Sequence, residues 1–157
     1  MDIKRRQVLR TGSGVSLLAL LAAAGWLKPG SAEAQAWNKA AFDTKTMDET
    51  MKALGGGAPA QSKDIAFVST PDIAENGAVV PVGITSSIPK TESIAILVEK
   101  NPNMLTAVFD IPAGTEPSIS TRVKMGQTSN VYALVKADGK YYVASKEIKV
   151  TLGGCGG

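Results

Sequence analysis

The chain has no histidine among its 157 residues and only one cysteine. Without imidazole there is no Ser-His-Asp or Cys-His nucleophilic site, no histidine-ligated zinc and no c-type haem attachment. A single cysteine cannot form an internal disulfide, a Cys-x-x-Cys redox pair or an iron–sulfur cluster within one chain. Aromatic residues make up 5% of the composition, and the basic residues do not cluster with them, so a nucleic-acid surface is not expected. Carboxylates are the remaining intrachain acids and bases. Asp72, Glu75, Asp110 and Glu116 lie near turn residues, where a lone carboxylate is ordinarily solvated or bonded to its own backbone. The chain is therefore not expected to be an enzyme by itself, nor to hold a cofactor or metal.

The basic excess is confined to the start of the chain. Lys4-Arg5-Arg6-Gln7-Val8-Leu9-Arg10 precedes the almost wholly apolar run from Val15 to Leu27, and Ala32-Glu33-Ala34 has the small-x-small form of a cleavage site. Residues 1–34 thus read as a removable export signal, and the paired arginines give it a twin-arginine character suited to proteins that fold before export. The apolar run is shorter than the roughly 20 residues of a membrane span, so no membrane association is expected after cleavage. Removing this segment leaves 12 basic and 12 acidic residues. A balanced mature protein gives no electrostatic reason to bind nucleic acid or anionic lipid.

From residue 35 to 152 the pattern predicts one domain. Met47, Met51 and Leu54 recur at helical spacing, and Thr46 with Glu49 forms a capping-box pattern at the helix start. Gly55-Gly56-Gly57 ends that helix. Seven β-rich runs follow: 65–69, 78–86, 93–99, 105–110, 118–125, 130–137 and 141–152. Seven short strands at near-regular spacing predict an all-β antiparallel sandwich with a short N-terminal helix. Ile119, Thr121, Val123 and Met125 alternate with polar residues, as in a strand with one wet face. By contrast, residues 93–98 are apolar on both faces, which predicts a central strand or one covered from outside the sandwich. Asp138-Gly139 marks a two-residue hairpin needing positive φ at both positions. Glu75-Asn76-Gly77 is read as a turn in which Asn and Gly supply positive φ, with a partner-docking loop as the functional alternative.

The last five residues, 153–157, form a separate feature. Cys155 sits between Gly153-Gly154 and Gly156-Gly157, so the thiol is carried on the thinnest and most flexible backbone available. The six residues beyond Thr151, at roughly 3.3–3.6 Å each when extended, suggest a reach of about 20 Å. The nearest base in the sequence is Lys149, and the chain-end carboxylate two residues on favours the neutral thiol. The tail therefore provides access, and a visiting partner would have to provide activation. A structural alternative is a sandwich joined to its partner by an intermolecular disulfide at Cys155.

Four features together resemble SoxY, the sulfur-carrier subunit of bacterial thiosulfate oxidation: the Gly153-to-Gly157 tail, the segment Ala74-Glu75-Asn76-Gly77-Ala78-Val79-Val80-Pro81-Val82, the helix exit Lys52-Ala53-Leu54-Gly55-Gly56 and the twin-arginine leader. The resemblance runs through essentially the whole chain, although Lys4-Arg5-Arg6-Gln7-Val8-Leu9 departs from the usual Ser-Arg-Arg-x-Phe-Leu leader. It implies an immunoglobulin-like sandwich in the periplasm, paired with a SoxZ-like subunit as a heterodimer or heterotetramer. It also implies that Cys155 carries sulfur species as covalent adducts on a swinging arm of Gly153, Gly154, Gly156 and Gly157. The implied partner enzymes are a haem enzyme that conjugates thiosulfate, a manganese hydrolase that releases sulfate and a molybdenum sulfur dehydrogenase.

Overall fold

A computed structural model describes residues 38–151. The expected leader, 1–34, and the expected arm, 153–157, lie outside the described residues. Two short helices open the domain: α1 (Lys39–Phe42) and α2 (Met47–Ala53). The Thr46 hydroxyl accepts the Glu49 amide at 3.2 Å, as the capping pattern predicts, and the Glu49 carboxylate accepts the Lys45 amide at 2.9 Å. At the other end, Gly55 (φ 73°) donates to the Lys52 carbonyl and Gly56 to that of Met51. This pair of bonds is a Schellman cap, which explains the glycines at the helix exit.

All seven expected strands form, and two short ones join them. They are β1 (Ala60–Gln61), β2 (Ile65–Val68), β3 (Ile73–Ala74), β4 (Val80–Ser86), β5 (Thr91–Val98), β6 (Leu105–Asp110), β7 (Ser118–Val123), β8 (Ser129–Ala137) and β9 (Lys140–Val150). One sheet has the order β1-β9-β8-β5-β6 with β3 also on β9, and the other has the order β2-β4-β7. Pairing is antiparallel except where β1 and β3 add to β9 in parallel. The fold is an all-β, immunoglobulin-like sandwich. Asp138 (φ 50°) and Gly139 (φ 72°) make the two-residue turn between β8 and β9, matching the twist of a right-handed hairpin.

The doubly apolar strand β5 has its two faces in two different cores. Ile94, Ile96 and Val98 pack between the sheets with Val82, Ile84, Val131, Val135 and Ile148. Ala95 and Leu97 face the other way and are buried with Ala41, Met51, Met104 and Leu134. The cover on this outer face thus includes α1 and α2 of the same chain. The Thr44 carbonyl accepts the Met104 amide at 2.8 Å, and the Tyr141 hydroxyl donates to the Leu54 carbonyl at 3.0 Å. These bonds hold the helical segment on the sheet.

The Asn-Gly turn forms differently from the expectation. Neither Asn76 nor Gly77 has positive φ. The Asn76 side chain instead accepts the Ala78 amide at 2.9 Å, so an Asx turn reverses the chain without a left-handed residue. Gly77 is required for close approach: a Cβ there would run into the Met125 carbonyl oxygen and come within 2.9 Å of Val150 Cγ1.

Candidate functional site

Cys155, Gly153, Gly154, Gly156 and Gly157 lie outside the described residues, so the structure describes the place from which they depart. That place is the end of β9. On one edge, the Lys149 amide donates to the Asp72 carbonyl at 2.9 Å and the Thr151 amide to the Ala74 carbonyl at 3.1 Å. These bonds set the parallel register Ile73↔Lys149 and Ala74↔Val150. On the opposite edge, the Val150 amide donates to the Thr128 hydroxyl at 3.0 Å. The β9 backbone is consequently held up to Thr151. Four residue steps separate Thr151 from Cys155, whereas six run to the chain end.

The turn segment 75–79 crosses this same end of the sandwich. Its Gly77 carbonyl accepts the Met125 amide at 2.7 Å, and Gly77 lies beside Val150. Two stretches singled out in the sequence, the Ala74-to-Val82 segment and the approach to the glycine tail, thus meet in space about 70 residues apart. The sequence reading missed this junction because β3, which creates it, is only two residues long and pairs in parallel. The isolated apolar pair Ile73-Ala74 ahead of Glu75 was the available signal. Ile73 and Val79 flank the turn with 56% and 51% of their surface exposed. The acidic turn residues are spread rather than gathered: Asp72 pairs with Lys146 at 3.0 Å, and Glu75 is exposed beside Asn76. Asp110 ends β6 at the opposite end of the sandwich, and Glu116 lies in the loop after it.

The comparisons with known proteins bear on this junction. A family model described as sulfur oxidation protein SoxY matches residues 50–155, from within α2 to the cysteine. The chain belongs to the SoxY family. A solved structure of the sulfur carrier protein SoxY from Chlorobium limicola f. thiosulfatophilum is 39% identical, with a TM-score of 0.60, over 67% of this chain and 96% of that one. A superoxide reductase (neelaredoxin) from Ignicoccus hospitalis is 18% identical with a TM-score of 0.48, covering 55% of this chain and 79% of that one. No curated protein sequence matches this chain. SoxY membership fits a sandwich whose last long strand is anchored immediately before the glycine-flanked cysteine.

Proposed function

We propose that this SoxY-family chain is a periplasmic, non-catalytic carrier that holds thiosulfate-derived sulfur covalently on Cys155. The observation that carries the reading is the position of the only cysteine: it closes the family match at residue 155 and stands four residues beyond Thr151, the last described residue, which is bonded to the sheet. Gly153, Gly154, Gly156 and Gly157 make the swinging arm that takes the thiol into narrow clefts of partner enzymes. The mature domain spans 35–152, after twin-arginine export and removal of 1–34.

The chemistry is that implied by the SoxY family, and the sequence places no base beside the thiol to activate it locally. In the first step the Cys155 thiol and thiosulfate form an S–S bond, giving an S-thiosulfonate. The thiol loses its proton and two electrons pass to the haem of the conjugating partner. Hydrolysis of the terminal sulfonate on a manganese partner then releases sulfate and leaves the persulfide on Cys155. Where a molybdenum sulfur dehydrogenase is present, it oxidises the remaining sulfane. Each partner supplies the cation, metal or oxidant, and this chain supplies the tether, which raises effective concentration and retains the intermediate. A SoxZ-like subunit completes the carrier, with the Glu75-Asn76-Gly77 turn serving as a partner-docking loop beside the end of β9.

Reconstitution with thiosulfate and the partner enzymes tests the assignment. Cys155→Ser is expected to abolish thiosulfate-dependent electron release while thermal unfolding stays that of the wild type. A serine variant that supports turnover refutes it.

A further inference from the structure

One lysine stands where an apolar residue is expected. Along β9, Tyr142, Ala144, Ile148 and Val150 belong to or pack against the core between the sheets, and the two-residue period of a strand places Lys146 in the same row. Its side chain is only 25% exposed. A lysine in such a row is costly unless its ammonium finds partners. Lys146 Nζ donates to the Thr70 carbonyl and lies 3.0 Å from Asp72 Oδ1. Thr70 is itself fixed to the second sheet, since its hydroxyl accepts the Gly83 amide at 3.0 Å and lies 3.2 Å from the Gly83 carbonyl. The ammonium therefore joins β9 of one sheet to the segment leaving β2 of the other.

That segment leads directly into β3. Ser69 has φ 52°, Pro71 has no amide to donate, and Asp72 is held twice, by Lys146 at its carboxylate and by the Lys149 amide at its carbonyl. β3 contributes two backbone acceptor bonds to the end of β9, those of Asp72 and Ala74. So small a ladder has little stability of its own. The β8 ladder, in contrast, stops at Ser129↔Ile148. Among the described residues, the Thr128 hydroxyl also bonds the backbone beyond Ile148, at the Val150 amide.

We propose that the Lys146 ammonium is a latch: by pinning Thr70 and Asp72 it holds β3 on β9 and so keeps the β9 backbone bonded at Lys149 and Thr151. Unlatched, β9 keeps its β8 ladder to Ile148 and the Thr128 bond at Val150 but loses the β3 bonds at Lys149 and Thr151. The arm's function rests on the carrier reading above. The latch does not, and the experiment below involves no sulfur chemistry.

Amide hydrogen exchange on the full-length protein tests the latch. In Lys146→Met, which keeps an apolar stem and loses the ammonium, the Lys149 and Thr151 amides are expected to exchange about tenfold faster, while those of Val131 and Val135 in β8 keep their protection. Lys146→Arg retains a charged donor and is expected to restore most of the protection. Unchanged exchange at Lys149 and Thr151, or equal acceleration at Val131 and Val135, overturns the proposal. Should Lys146→Met fail to fold, Asp72→Asn decides, because the Asp72 side chain is 88% exposed and its replacement leaves the core intact. Faster exchange confined to Lys149 and Thr151 supports the latch, and unchanged exchange there overturns it.

Discussion

Gly77 and Met125 share a backbone contact so close that neither can be moved without the other: the Met125 amide donates to the Gly77 carbonyl at 2.7 Å, and the space a Cβ on Gly77 would need is filled by the Met125 carbonyl oxygen. Gly77→Ala must push the 75–79 turn away from Met125 and Val150. Its expected cost is about 1–3 kcal/mol, read as a lower denaturation midpoint with an unchanged slope in urea. A variant of wild-type stability would show that the turn yields freely.

Helix α2 covers the outer face of β5 through Met51, which is 3% exposed in the cluster holding Leu97 and Leu134. Met51→Ala is expected to lower stability by about 2–5 kcal/mol in the isolated chain, measured by equilibrium denaturation. A loss well under 1 kcal/mol would mean that this face relies on a cover other than the chain's own helices.

Glu92 on β5 is the site of an acid-dependent contribution. Its pKa is lowered from the ordinary 4.5, first by the hydrogen bond from Lys136 and then by the Gly139 amide, at distances of 3.1 Å each. A depressed carboxylate stabilises the fold above its unfolded pKa, and that stability is lost as pH falls from 4.5 through the folded value. Lys136 is raised above 10.5, chiefly by Glu92, so its contribution is present below 10.5 and is lost as pH rises through the folded value. Glu92→Gln is expected to flatten both limbs of the stability–pH curve, with a small change near neutrality because the pair is surface-exposed. Limbs identical to wild type would contradict the pairing.

Stiffening the proposed arm separates access from reactivity. Gly153-Gly154→Pro-Pro leaves the thiol in place and restricts the backbone carrying it. Steady-state turnover with partner enzymes is expected to fall severalfold while alkylation of Cys155 by a small reagent keeps its rate. Equal turnover would count against a moving arm.

The strands were legible where side-chain pattern alone specifies them. β7 alternates because one face is wet, and the Asp138-Gly139 turn is written in two residues whose backbone demands are unusual. What stayed hidden depends on distant partners. β3 is invisible as a two-residue strand until β9 is beside it, and the role of Gly77 is fixed by Met125, 48 positions away. The two apolar faces of β5 announced a second cover without saying that α1 and α2 supply it. Lys146 reads as one polar position in a mixed strand until the row it occupies is seen to face the core. The cysteine, in contrast, was conspicuous from composition, since no histidine and no second thiol compete with it.

The central claim is that sulfur rides on Cys155. Intact-mass analysis followed by peptide mapping, on protein taken from cells oxidising thiosulfate, addresses it most directly. The carrier account predicts mass increments of thiosulfate-derived sulfur that map to the C-terminal peptide and disappear on reduction. Unmodified thiol throughout turnover, or adducts mapping elsewhere in the chain, would contradict it.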